Sequence, residues 1–408
     1  MIDIAIGSGV IVVLILGLTI GLLLARARLV PQEAVVVTVN EGKRIDAARG
    51  DRLLGVLHGA GIGIPAACGG SGTCGLCRVT VFGDGAGEVK ATEKGVLSAT
   101  ERRNNVRLAC QCQLRGSVSV EVPTEILVAE GFACKVASNG MLAPLIRELV
   151  LDLPEGREID FRAGNFMQLT APAYTLDLGK LDLPHQFEEI WSIAGWRQMH
   201  AESPKPVTRA YSIASRPEDA ANGKLVFNIR LAVPPAGHEA DIHPGIVSSH
   251  LFALKPGDAL EVSGPFGDFQ VQPTGREMVF IGGGVGMAPM RAMVHEQVGL
   301  KSDRKMTYYY GARSAADLFY REEFDAIAAA NPNFTWTPAL SEPAPGDRWT
   351  GATGFIHEVV RNAMSSHPAP EDCEYYLCGP PVMISAVLAM LDRIGVEPHS
   401  IFNDDFGV

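Results

Sequence analysis

Positive charge is scarce in this 408-residue chain: 35 Lys and Arg stand against 46 Asp and Glu, a formal net charge of −11 at pH 7. A general nucleic-acid binder would need a basic face, so the balance argues against that class. Cysteine is scarce too. Eight thiols in a chain of this length make no disulfide-dense framework, and clustered reduced thiols fit a reducing compartment. Charged residues total 20% and apolar ones 47%, which leaves no sizeable disordered tract. Beyond residue 25 no segment is apolar for long enough to span a bilayer. The length suggests about two to four domains.

What is present begins with Ile4 to Ala25, an uncharged run of 22 residues. As a helix rising about 1.5 Å per residue it matches the roughly 30 Å hydrocarbon core and reads as one membrane span. The alternative is a secretory signal, and Ala25-Arg26-Ala27 has the small-residue look of a cleavage site. Against it, the residues before the run carry Asp3 and no Lys or Arg, and the run exceeds a signal's core. Arg26 and Arg28 follow directly, so the positive-inside rule puts the remainder in the cytoplasm.

Cys68 to Cys77, Cys-Gly-Gly-Ser-Gly-Thr-Cys-Gly-Leu-Cys, packs three thiols and four glycines into ten residues. This suits a metal better than a core. A [2Fe–2S] centre needs four thiolates, and glycines let backbone N–H groups approach the sulfurs. Cys110 is the candidate fourth ligand to Cys68, Cys74 and Cys77. The first gap is five residues where the plant-type pattern has four. Zinc is the alternative, but zinc loops usually come as two Cys-x-x-Cys knuckles and only Cys74 and Cys77 form one. Alternating segments around the loop, Val35 to Val39 and Val118 to Val122, read as strands, and Asp51 to Leu57 has helical spacing. The arrangement resembles a β-grasp ferredoxin. Cys112 would point the same way as Cys110 on a strand; it is a possible substitute ligand or, like Cys134 and Cys373, a small buried hydrophobe.

From about Cys134 the chain is strand-rich, with Leu149 to Leu153 and Leu225 to Leu231 alternating as in a barrel. Arg209-Ala210-Tyr211-Ser212 on its own is weak, since such residues are commonly surface charges and rim aromatics. Gly245-Ile246-Val247-Ser248-Ser249 adds a turn that opens a short helix suited to an anion. With Lys255 to Asp258 and Gly264 to Gly267, these segments resemble the ferredoxin–NADP reductase superfamily. The resemblance implies that Arg209 pairs with the flavin pyrophosphate, Tyr211 packs on the isoalloxazine and Ser212 reaches its N5 edge. It also makes Gly245, Ser248 and Ser249 the phosphate loop.

The third region opens with the apolar strand Met278 to Ile281 and then Gly282-Gly283-Gly284-Val285-Gly286-Met287-Ala288-Pro289. A strand, a glycine turn and a helix with Met287, Met290, Val294 and Val298 on one face make a nucleotide-binding unit. Pro289 replaces the third glycine of the ordinary fingerprint, and Gly311-Ala312-Arg313-Ser314 lacks the acidic residue that binds an NAD ribose. Spacing alone therefore leaves NADH and NADPH open. The form matches the superfamily's pyridine-nucleotide domain, as does Tyr376-Leu377-Cys378-Gly379-Pro380-Pro381, which implies nucleotide contacts at Gly283, Gly284, Gly286, Pro289, Gly379 and Pro380. Cys378 would then flank the nicotinamide, its alternative being a buried structural cysteine.

Flavin links a two-electron hydride donor to a one-electron cluster, so the order of modules is chemically coherent. The N-terminal span, an insert from about Tyr174 to Lys205 and the ending Ile401 to Val408 make the chain resemble, over essentially its whole length, the F subunits of Na⁺-translocating NADH:quinone oxidoreductases. The resemblance implies NADH as donor, FAD, a [2Fe–2S] cluster and delivery of electrons to five other subunits in a bacterial inner membrane that reduce ubiquinone and pump Na⁺. No residue reads as a Na⁺ path. An aromatic near the superfamily's C-terminus covers the flavin, and Phe406 matches it, unless it is a frayed tail. The expected architecture is multidomain, α+β and α/β. It comprises a transmembrane anchor (1–30), a β-grasp ferredoxin domain (31–128), an FAD-binding β-barrel (129–272) and a Rossmann-like NADH-binding domain (273–408). The alternatives are the membrane-tethered reductase of an oxygenase and a redox sensor without catalysis.

Overall fold

The computed structural model describes residues 14–19, 21, 34–128, 131–235, 237–238 and 242–405. Most of the apolar run Ile4 to Ala25 lies outside them, as does Phe406; residues 14–19 and 21 are helical. Among the described residues no helix is long and apolar enough to cross a membrane. The chain divides into two compact units, Met1–Gly61 with Val79–Val122, and Ile62–Arg78 with Pro123–Val408.

The smaller unit is built on a five-stranded mixed sheet. Its strands are β1 (Ala34–Val39), β2 (Lys43–Ala48), β3 (Arg78–Phe82), β4 (Val106–Leu108) and β5 (Val118–Glu121), in the order β2-β1-β5-β3-β4. β1 runs antiparallel to β2 and parallel to β5. Alternation along β1 buries Val35, Val37 and Val39, as a half-buried strand requires. The helix Leu53–Gly59 buries Leu53 and Leu57 completely.

In the larger unit, six antiparallel strands form a barrel: β6 (Phe132–Ala143), β7 (Ile146–Asp152), β8 (Phe166–Ala171), β11 (Val207–Ser212), β12 (Lys224–Arg230) and β13 (Ala259–Phe266), in the order β11-β8-β13-β6-β7-β12. A bridge between Ile213 and Phe227 joins the two ends. The insert forms the hairpin β9 (Tyr174–Asp177) and β10 (His200–Ser203) around a helix, His185–Ile193. Leu178, Phe187 and Trp191 join the barrel's own core, and Trp191 Nε1 donates to Pro144 O at 2.6 Å. The insert thus keeps its own two-stranded sheet but packs its apolar side chains into the barrel's core.

The same unit contains a six-stranded parallel sheet. It comprises β14 (Met278–Gly283), β15 (Met306–Ala312), β16 (Phe334–Leu340), β17 (Ala352–Thr353), β18 (Glu374–Gly379) and β19 (Ile401–Asp405), in the order β17-β16-β15-β14-β18-β19. Helices cover both faces, which is why its strands read as continuous apolar runs. The helix Met287–Gly299 departs from the expected one-sided pattern: Ala288, Arg291 and Ala292 are buried along with Met287, Met290 and Val294. One side packs on the sheet while Ala288 packs on Ala214 and Val226 of the barrel, so little of the helix is left for solvent.

Candidate functional site

A cavity of about 540 Å³ opens where β11, β12, the turn after β14 and the cysteine loop converge within the larger unit. Arg209, Tyr211 and Ser212 of β11 all line it. Arg209 is half-buried; its Nη1 donates to Thr208 O at 2.8 Å, and among the described residues no carboxylate pairs with it. Burial lowers its pKa, with Tyr211, Cys68 and Cys74 opposing. A desolvated guanidinium without a carboxylate is suited to an incoming anion. Facing it, the helix Ile246–Ala253 begins after Gly245 with no side-chain cap, so its first N–H groups are available to a phosphate. A Cβ at Gly245 would meet Ser248 Oγ at 2.6 Å and Ala232 Cβ at 2.8 Å, which explains the glycine. Ser248 Oγ in turn accepts from Ala232 N–H at 3.2 Å, and Ser249 is fully buried. This donor set fits a flavin pyrophosphate.

Ser212 is buried and its Oγ donates to Asp404 Oδ2 at 3.1 Å. Asp404 lies opposite Cys378 in the β18–β19 register, and Cys378 lies opposite Gly282 in the β14–β18 register. Ser212, Cys378 and the glycine turn are therefore brought together, with Asp404 as the member that sequence reasoning missed. Its signal in the sequence is a pair of acids closing the short segment Ile401 to Asp405, which turns from apolar to polar. Cys378 is fully buried.

The nucleotide turn is a 3₁₀ turn, Gly284–Gly286, between β14 and the helix Met287–Gly299. Gly284 has φ +55°, and a Cβ on Gly286 would lie 2.0 Å from Cys378 O. At Gly379 a Cβ would stand 3.1 Å from Gly283 O. The glycines thus allow the two strand ends to close on each other. Tyr310 Oη donates to Gly284 O at 3.0 Å and pins the turn. Pro289 sits in the first helical turn, where its missing N–H costs nothing, and Pro380 caps the helix Pro381–Arg393.

In the cysteine loop Gly69, Gly70, Gly72 and Gly75 all have φ between +65° and +97°, a left-handed path closed to most other residues. Cys68 hydrogen-bonds Cys74, and that bond with burial raises the Cys74 thiol pKa. Cys77 is buried, and Cys68, Gly69 and Ser71 line the cavity. Cys110 and Cys112 belong to the smaller unit and are both buried. Their segment is held firmly: Arg107 pairs twice with the fully buried Glu93, which also accepts Leu108 N–H, while Leu53 N–H donates to Cys112 O. Burial raises the pKa of Cys134 to about 12 and of Cys373 to about 11, as expected of small buried hydrophobes. Cys373, Glu277 and His367 bring donor atoms within 4.8 Å of one another. However, His367 Nδ1 accepts Ala369 N–H, so its proton stays on Nε2 facing Glu277, which Lys305 also pairs. His367 thus braces Glu277 by a hydrogen bond, and Lys305 is that carboxylate's ion partner.

Family models match three segments of the chain. A 2Fe-2S iron-sulfur cluster binding domain covers 37–115, an oxidoreductase FAD-binding domain 175–271 and an oxidoreductase NAD-binding domain 280–388. The chain is 45% identical over 407 residues to the F subunit of the Na(+)-translocating NADH-quinone reductase of Neisseria meningitidis serogroup C, covering 99% of this chain and 100% of that one. The chain belongs to this F-subunit family. A second relative in it, from Yersinia pseudotuberculosis, is 43% identical over 409 residues, 99% of this chain and 100% of the relative. The cytochrome P450 reductase GcoB of Amycolatopsis is similar in structure, with TM-score 0.58 and 26% identity over 91% of this chain and 98% of the other. Membership of the F-subunit family agrees with the three cofactors expected from the sequence: an iron–sulfur cluster, FAD and a nicotinamide nucleotide.

Proposed function

We propose that the chain is the electron-entry subunit of a Na⁺-translocating NADH:quinone reductase, oxidising NADH with FAD and passing single electrons through a [2Fe–2S] cluster to membrane partner subunits that reduce ubiquinone. The observation that carries this reading is the cavity onto which the Arg-x-Tyr-Ser strand, the uncapped helix, the glycine turn and the cysteine loop all open. When bound, flavin supplies the exchange between hydride and single-electron chemistry. Arg209 and the start of the helix Ile246–Ala253 hold the pyrophosphate, Tyr211 packs against the ring, and Ser212 offers a hydroxyl whose direction Asp404 sets. Gly283, Gly284, Gly286, Pro289, Gly379 and Pro380 shape the nucleotide's bed, with Cys378 beside the nicotinamide. Cys68, Cys74, Cys77 and Cys110 would ligate the cluster, and Phe406 would supply the aromatic that shields the flavin. Residues 1–30 form a single anchor in a bacterial inner membrane, with the domains on the cytoplasmic side and five partner subunits in the complex.

Purification of the full chain from its native membrane in mild detergent tests the reading. Iron and FAD near two and one per chain, NADH-dependent ferricyanide reduction and co-purifying membrane subunits are expected. Zinc in place of iron, absence of flavin, or an oxygenase as the partner would overturn it.

A further inference from the structure

We propose that Arg291 and Tyr320 form a two-point latch that keeps the nucleotide-binding sheet in register with the flavin-binding barrel, making them positioning residues for hydride transfer. The latch rests on the electron-entry role proposed for the cavity and extends it to residues outside the cavity's binding motifs.

Arg291 lies in the second turn of the helix that starts at the glycine turn and is only 4% exposed. Its Nη1 donates to Ala214 O at 2.8 Å, two residues beyond Ser212. Nε and Nη2 donate to the two oxygens of Glu323 at 2.7 and 2.8 Å, and His295 Nε2 lies 2.7 Å from the same carboxylate. The helix that carries the nucleotide turn therefore grips the backbone at the end of the flavin strand. A shift of that helix by one turn or half a turn breaks the grip and leaves a buried charge unpaired.

Tyr320 supplies the second point. It adopts φ +58° and ψ +22°, a left-handed conformation unfavourable to any residue with a Cβ. Its hydroxyl donates to Glu148 Oε2 on β7 and accepts from Asn228 Nδ2 on β12 at 2.9 Å. Because the carboxylate only accepts, the direction of both bonds is set, and with it the orientation of the Asn228 amide. Asn228 is 4% exposed and forms part of the flavin cavity's wall. The Arg291 guanidinium lies 4.4 Å from the Tyr320 ring centroid, so the two points support each other.

A plain apolar contact would hold two layers together at a smaller desolvation cost than a buried ion pair and a strained tyrosine. What such groups add is a unique register. Hydride transfer depends on that register, since a misplacement of about 1 Å costs up to about 100-fold in rate.

The test uses the full-length holoprotein and the variants Tyr320→Phe and Arg291→Lys, each of which preserves the bulk of its side chain. Stopped-flow absorbance follows flavin reduction by NADH and by NADH deuterated at C4, alongside FAD content, NADH affinity and melting temperature. The latch predicts flavin reduction slowed about 10- to 100-fold, with a larger isotope effect and with FAD content and NADH affinity within about twofold of wild type. Wild-type rates and isotope effects in both variants would overturn it. So would rate losses that merely follow lost FAD or lost stability, because those mark a structural role. If the wild-type flavin itself is not reduced by NADH, the electron-entry role fails instead, and the latch with it.

Discussion

Gly286→Ala separates sterics from backbone preference at the nucleotide turn. Gly286 has φ −61° and ψ −9°, which alanine adopts freely, so no conformational penalty attaches to the change. The added Cβ would stand 2.0 Å from Cys378 O, 2.4 Å from its carbonyl carbon and 2.8 Å from Gly379 N, all backbone atoms of β18 that cannot swing aside. Ordinary contact begins near 3.4 Å, so the turn and the strand end must separate by about 1.4 Å. Overpacking of this kind costs about 1–3 kcal/mol in stability. A displacement of about 1 Å at a reacting centre costs up to about 100-fold in rate. Gly284→Ala is the counterpart: its φ of +55° is unfavourable to alanine by about 1–2 kcal/mol, yet nothing lies within 4 Å of the new methyl. Flavin reduction by NADH, ferricyanide turnover, FAD content and melting temperature are the assays. Gly286→Ala should retain FAD and iron but reduce flavin about 100-fold more slowly, with a raised KM for NADH. Gly284→Ala should lose a similar amount of stability with a smaller kinetic defect. Wild-type kinetics in Gly286→Ala, or a larger kinetic loss in Gly284→Ala, would refute the close-approach reasoning.

Alanine at Cys68, Cys74, Cys77 or Cys110 should each abolish the cluster's EPR signal while NADH still reduces the flavin; a signal that survives in Cys110→Ala would show that Cys112 takes over. Arg209→Ala should weaken FAD binding about 10- to 100-fold, the loss of a charge-assisted contact worth about 1.5–3 kcal/mol, and an unchanged Kd in fluorescence titration would dismiss its role. Burial would raise the Glu323 carboxyl, but His295 and Arg291 hold it down to about 2 from an ordinary 4.5. The depressed pKa means stability that is present above about 4.5 and lost as pH falls toward 2, roughly 3 kcal/mol in all. The stability difference between wild type and Glu323→Gln should shrink across that window in chemical denaturation, and a difference independent of pH would contradict the pairing. Phe406→Ala should bind NAD⁺ more tightly and show a stronger long-wavelength charge-transfer band, with product release slowed; identical titrations would make Phe406 an ordinary tail residue.

The segments legible in the sequence were those whose chemistry is written in neighbouring residues. Cys68 to Cys77 carries its own glycines, and all four of those glycines take the left-handed path the loop needs. Met278 to Pro289 reads as strand, turn and helix because period and glycine placement are local properties, and β14 and its helix follow that reading. The insert shows where local reading stops. Its leucines, tryptophans and acids marked it as distinctive, but only the fold revealed that Trp191 fills the barrel core and hydrogen-bonds Pro144.

Sequence alone determined the order of the three modules, the cysteine loop, the flavin strand and the nucleotide turn, since each motif is specified by residues within a span of a dozen or so positions. Tertiary structure alone decided which distant groups meet them. Ser212 finds Asp404 across 192 positions, Tyr320 finds Glu148 across 172, and Arg291 finds the Ala214 carbonyl across 77. Such pairs leave no periodicity and no motif, because a single hydrogen bond between remote strands constrains one side chain at each end and nothing between them. Only the register of β18 with β19, and of the barrel with the sheet's first helix, places the two ends within reach.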